Sequence, residues 1–208
     1  MIESRRIECG RLALGCHFHR DRHAHTLAII DGDRLIPLLA SCEGSADDPW
    51  PPSPPLQSLH TEQRPGGPCL LLVGMVGPNH WSVSIEPRDS ELTFDVACRI
   101  KRWPGGDGAV TLGSGYRSMV AAQPTSPGQL MVPVADAELY IDSVAPDDYQ
   151  PAAQLVVTDT GFRVVRLLDR DQPLPVTVRW RFRMALHETA GRKQRMPSRD
   201  HARSGADE

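Results

Sequence analysis

Residues 176–184 alternate without a break. Val176, Val178, Trp180, Phe182 and Met184 are apolar, and Thr177, Arg179, Arg181 and Arg183 between them are polar. Side chains along a strand point to opposite faces in turn, so this segment reads as a β-strand with one buried and one wet face. The same period of two recurs through the chain. Leu12, Leu14, Cys16 and Phe18 alternate with Ala13, Gly15, His17 and His19, and Trp81, Val83 and Ile85 alternate with Ser82, Ser84 and Glu86. Beyond the turn Arg88-Asp89-Ser90, residues Leu92, Phe94, Val96, Cys98 and Ile100 continue the pattern. Turn residues separate the runs. Asp31-Gly32 is a strong hairpin signal between residues 26–30 and 34–39, Pro65-Gly66-Gly67 joins 56–63 to 69–76, and Thr160-Gly161 joins 155–159 to 162–168. No window places apolar residues at helical spacing behind an N-cap, and nineteen prolines interrupt the chain. The expected fold is all-β: an antiparallel β-sandwich of two sheets, with a closed or partly open β-barrel as the alternative. Strand order is not fixed by these patterns, although the repeated hairpins suggest a meander.

A chain of 208 residues suits one such domain, expected over residues 1–188. The formal net charge of −3 argues against nucleic acid or an anionic membrane as partner. No run approaches the ~18 apolar residues of a membrane span, and residues 1–8 lack the apolar core of a secretory signal. Five cysteines, Cys9, Cys16, Cys42, Cys69 and Cys98, are scattered with no Cys-x-x-Cys spacing. An odd count without metal-site spacing points to free thiols and a reducing cytoplasm.

Two segments depart from the alternation. Residues 45–55, Ser-Ala-Asp-Asp-Pro-Trp-Pro-Pro-Ser-Pro-Pro, are biased to an extended polyproline conformation. They read as a strap over the domain's own core with Trp50 as its anchor, rather than as a docking peptide. Residues 189–208 lack aromatic and branched aliphatic side chains and are expected to form a disordered polar tail.

The densest chemistry lies in Cys16-His17-Phe18-His19-Arg20-Asp21-Arg22-His23-Ala24-His25, with two His-x-His pairs flanking a short polar stretch. If the loop is Arg20-Asp21-Arg22, His19 opposes His23 and His17 opposes His25, and all four imidazoles share a face. Opposed Cβ atoms ~5 Å apart would let several nitrogens reach one divalent ion such as zinc, iron or manganese at ~2.0–2.1 Å. If the loop is Asp21-Arg22, the two pairs fall on opposite faces. The apolar pattern permits both. His17-x-His19 on a strand after glycines resembles the first motif of the cupins, small metal-binding barrels. The resemblance covers only this short stretch. The glutamate of that motif is replaced by His23, and the later histidine motif is not recognisable around Gly77-Pro78-Asn79-His80. The candidate metal ligands of the hairpin are His17, His19, His23 and His25, and no cupin activity is carried across.

A second cluster centres on Gly77-Pro78-Asn79-His80-Trp81. The turn delivers His80 and Trp81 to the start of a strand, and His80, with Asp95 and Arg99 on the polar face of the next strand and Ala97 leaving room between them, could floor a polar pocket walled by Trp103 or Tyr116. Arg179, Arg181 and Arg183 form a basic row suited to carboxylate or phosphate, or to neighbouring acids on a solvated face. No Walker loop, His-Glu-x-x-His or Gly-x-Ser-x-Gly occurs. The function expected from this is a non-enzymatic cytoplasmic binding or interaction module without a resident cofactor. It would take a small molecule or a protein at His80, Trp81, Asp95, Arg99, Trp103 and Tyr116. The alternative is a metal-dependent, cupin-like enzyme using the histidine hairpin. Exposed sheet edges also allow a homo-oligomer.

Overall fold

A computed structural model describes residues 5–45, 48, 50–103, 105, 110–148 and 150–189. The strands are β1 (Arg5–Cys9), β2 (Leu12–His19), β3 (Arg22–Asp31), β4 (Arg34–Ser41), β5 (Leu56–Arg64), β6 (Gly67–Val76), β7 (Asn79–Arg88) and β8 (Glu91–Ile100). They continue as β9 (Val110–Ser118), β10 (Gln123–Ser126), β11 (Gln129–Val134), β12 (Ala137–Val144), β13 (Gln154–Thr158), β14 (Gly161–Leu168) and β15 (Val176–Glu188). There is no helix among the described residues, and hence none long and apolar enough to cross a membrane.

The strands form two antiparallel sheets and no closed barrel. One sheet has the order β1-β2-β3-β4-β9-β14-β13, the other β10-β11-β12-β15-β8-β7-β6-β5. Each therefore contains a four-strand meander, β1 to β4 in one and β5 to β8 in the other, and the later strands are shared between the two layers. The signals read from the sequence at Gly32, Gly66, Asp89 and Thr160 each sit in a hairpin turn. Gly32 turns with φ of 56°, the left-handed conformation that a residue without Cβ adopts freely. The strands β9 to β11 carry weaker alternation and more turn residues, whereas in β12 Ala137, Leu139 and Ile141 are buried between Glu138, Tyr140 and Asp142.

β15 lies at the centre of its sheet between β12 and β8, and its apolar residues point inward: Val178, Trp180, Phe182 and Met184 are all buried. Phe182 stacks on Phe94 of β8 with ring centroids 4.6 Å apart and meets Tyr116 of β9 edge-on at 6.0 Å. Tyr116 in turn stacks on Phe162 of β14 at 5.2 Å. These rings span the gap between the layers, where aromatic pairs contribute packing beyond their buried area. Trp180 adds a polar tie, its Nε1 donating to Ser114 Oγ of the opposite sheet at 3.1 Å.

The proline-rich segment carries the chain from β4 in one sheet to β5 in the other. Within it Pro51, Ser53, Pro54 and Pro55 are buried, and Trp50 meets Trp81 edge-on at 5.7 Å. Ser53 docks beside β9, its hydroxyl accepting from Gly115 N at 3.0 Å and donating to Gly115 O at 3.1 Å. Residues 46, 47 and 49 of the segment, and the polar tail expected after Thr189, lie outside the described residues.

Candidate functional site

The outer face of the eight-stranded sheet carries a broad concavity. Strand register lines up Met75, His80, Arg99 and Thr177 in one row across β6, β7, β8 and β15. The next row is Val73, Ser82, Ala97 and Arg179. The second row is low at its centre because Ser82 and Ala97 are small. The result is an open depression of about 640 Å3, lined by Gln57, Ser58, Val73, Gly74, Met75, His80, Trp81, Ser82, Ala97, Arg99 and Thr177. Val73 and Met75 form an apolar wall, 48% and 50% exposed. At the rim, a register shift between Leu56 and Ser58 frees the Gln57 amide to bond the Met75 backbone: Met75 N donates to Oε1 at 2.7 Å, and Nε2 donates to Met75 O at 3.0 Å.

The row that begins with Met75 continues to basic residues at His80 and Arg99. Asn79 is buried, and its amide accepts from Lys101 N at 2.8 Å and Arg102 N at 3.2 Å while donating to Arg102 O at 3.0 Å. This fixes the chain leaving β8 and brings Lys101 Nζ to 3.2 Å from His80 Nε2. Arg99 lies directly opposite His80. Among the described residues no carboxylate lines the depression, and none pairs with Arg99. The rest of this face behaves differently. Arg179 donates to Asp95 at 2.8 Å and lies 3.7 Å from Asp147, Arg181 Nε donates to Asp95 at 3.1 Å, and Arg183 lies 3.4 Å from Glu91. The basic row of β15 is thus a face whose neighbours supply the acids.

Of the pocket residues read from the sequence, His80 and Arg99 come together with Trp81 beneath them, and the others do not join them. Asp95 lies two rows away, held by Arg179 and Arg181. Trp81 is 4% exposed, because alternation sends its side chain to the face opposite His80, where it packs on Trp50. Trp103 is partly buried against the core. Tyr116 is interior, on a strand of the other sheet, and walls no part of this depression. Sequence reasoning missed Val73, Met75, Ser82 and Thr177. The available signal was the run Cys69-Leu-Leu-Leu-Val-Gly-Met-Val, which is apolar at outward positions as well as inward ones.

The histidine hairpin closes with the two-residue loop Arg20-Asp21, Arg20 adopting φ of 61°. His19 opposes Arg22, Phe18 opposes His23, His17 opposes Ala24 and Cys16 opposes His25. The four imidazoles are therefore split between faces, and the shared-face arrangement that a four-nitrogen metal site requires is not formed. The reason is apolar. This register sets Leu12 against Ile29 and Leu14 against Leu27, all buried, whereas the three-residue loop would have opposed them to Ile30 and Ala28. Among the described residues no group of three or more His, Cys, Asp or Glu side chains could hold a metal ion. The four-histidine ligand set expected of this hairpin is therefore not assembled.

The inward pair enters the space between the sheets. His23 meets Phe18 edge-on at 5.1 Å. His25 lies against Phe94 and Tyr116, with Nε2 2.9 Å from the Tyr116 hydroxyl. Burial pulls the His25 imidazole down to about 4, helped by the charge of His17, and pushes the Tyr116 phenol well above its ordinary value. Glu43 faces the same narrow cleft and bonds Ser41 Oγ, whose oxygen accepts from His25 N at 2.8 Å. Burial raises the Glu43 carboxyl to about 7, against the opposing effects of the Ser41 hydrogen bond and Arg22. Arg22, only 2% exposed, clamps Asp21 through two bonds of 2.9 Å and donates to the carbonyls of Glu43 at 2.8 Å and Ser45 at 3.1 Å. Perturbed groups in a cleft are a signature of active sites. Here the space open to the centre of a water-sized sphere is about 10 Å3, room for roughly one water and no substrate.

No known protein family matches this sequence, and no curated protein is significantly similar to it.

Proposed function

We propose that this β-sandwich is a non-enzymatic binding module whose ligand occupies the depression on the outer face of the eight-stranded sheet. The observation that carries this reading is the concavity itself: two small residues, Ser82 and Ala97, sit low next to the exposed Val73 and Met75 of β6 and next to the row that holds His80 and Arg99. Its volume of about 640 Å3 lies within the range of small-molecule sites, which combine apolar lining with a few convergent polar groups. The titratable cluster between the sheets, by contrast, leaves no room for a substrate. The five free thiols, four of them buried, support a reducing compartment such as the cytoplasm as the place of action.

The test is fluorescence titration with 8-anilinonaphthalene-1-sulfonate, which carries apolar rings and an anionic group. The native protein is expected to give a saturable one-site enhancement. Ser82→Trp, at an exposed position, fills the floor and is expected to abolish it while leaving the melting temperature in place. An unsaturable signal, or one that survives Ser82→Trp, would refute the reading.

A further inference from the structure

We infer that the depression takes a small molecule bearing a carboxylate next to an aliphatic or aryl group, with Arg99 gripping the carboxylate and Met75 and Val73 covering the apolar part. The inference rests on the depression being a binding site and adds the chemistry of its occupant.

Three observations define that chemistry. First, Arg99 stands apart from the other arginines of its face. Arg179, Arg181 and Arg183 each meet a carboxylate from a neighbouring strand, whereas Arg99 has none among the described residues. A guanidinium presents a planar fork of donors matched to a carboxylate, and a single one suits a monoanion. Second, the groups beside Arg99 reinforce the preference. Lys101 stands against His80, held there by the Asn79 bonds, and no described acid lines the cavity in a chain whose overall charge is negative. Third, Met75 lies beside His80 in the same row as Arg99, and Val73 lies beside the floor of Ser82 and Ala97, so apolar surface on β6 adjoins these donors. Thioether and branched aliphatic surface of this kind adapts to an alkyl or aryl group. The size of the concavity selects a small molecule over a protein partner, which needs roughly 800 Å2 of matched surface on each side.

The test is titration of the whole protein with octanoate, octanamide and acetate, followed by amide shifts in a heteronuclear NMR spectrum. Octanoate is expected to move the amides of Ser82, Ala97, Arg99 and Thr177. Octanamide is expected to bind about ten- to a hundredfold more weakly, as loss of one charge-assisted pair implies, and acetate not measurably. Arg99→Gln, at an exposed position, is expected to erase the preference for octanoate over octanamide. Met75→Asp is expected to weaken octanoate while leaving the melting temperature in place. If octanamide moves the same amides as tightly as octanoate, the site stands and the carboxylate assignment falls. If octanoate moves none of these amides, or binds Arg99→Gln as well as the native protein, the inference is overturned. Octanoate failing where the fluorescent probe still binds and Ser82→Trp abolishes it would overturn the ligand class alone.

Discussion

Glu43 and His25 face one cleft and respond to pH in opposite directions, which yields a specific prediction for Glu43→Gln. The Glu43 carboxyl moves from 4.5 to about 7 on folding. Below pH 4.5 it is protonated in both states and contributes nothing to the pH dependence. Between 4.5 and 7 the unfolded chain releases the proton and the folded one keeps it, so stability falls as pH rises, by ~3 kcal/mol in all. The His25 imidazole moves the other way, from 6.5 to about 4. Between 4 and 6.5 the unfolded chain binds a proton that the folded one refuses, so stability rises with pH by a similar ~3 kcal/mol. The two slopes overlap and largely cancel in the native protein. Glutamine keeps the shape and the partner Ser41 and removes one slope. Urea unfolding at a series of pH values from 4 to 8 is the assay, with stability taken from the midpoint at constant denaturant dependence. The variant is expected to gain on the native protein by ~3 kcal/mol between pH 4.5 and 7, the difference then levelling off. Carboxylates held low by arginines, Asp21 by Arg22 and Asp136 by Arg11, are common to both proteins and drop out of the comparison. A difference that stays constant across that range would refute the reasoning.

Two other substitutions probe how the strap is held. Arg22→Met removes the donors to the Glu43 and Ser45 carbonyls and the partner of Asp21. It is expected to cost about 3 kcal/mol in urea unfolding and to speed hydrogen exchange at Cys42, Glu43, Gly44, Ser45 and Ser53, with Arg22→Lys failing to restore either. Gly74→Ala would place a Cβ 1.8 Å from the Pro55 carbonyl oxygen, so the start of β5 must move. A loss of more than about 3 kcal/mol is expected, read as a fall in melting temperature; a variant melting like the native protein would contradict the close approach.

Much of the architecture follows from period alone. The alternation of β2, β7, β8 and β15 is enough to name their inward residues, because a pleated strand allows only two faces. The hairpin turns follow likewise from Asp31-Gly32, Pro65-Gly66-Gly67 and Thr160-Gly161. What period cannot supply is the parity of a loop and the partner of a strand. The local pattern accepts either loop weighed from the sequence, Arg20-Asp21-Arg22 or Asp21-Arg22, yet the hairpin closes with Arg20-Asp21, a register that neither of them gives. The choice falls to Leu12, Leu14, Leu27 and Ile29 meeting the opposite sheet. Trp81 is a different case: alternation alone already sets it on the face opposite His80.

The depression lay furthest from sequence reading. Its residues come from β5, β6, β7, β8 and β15, and β15 joins this group only because the later strands return to the second sheet beside β8. Sequence by itself determined that this chain forms half-buried antiparallel strands and which side chains face inward, since those are consequences of local geometry and hydrophobicity. Only the tertiary structure decided which strands are neighbours. Lateral pairing set Arg99 opposite His80 with no described acid beside it, and gave each arginine of β15 a carboxylate.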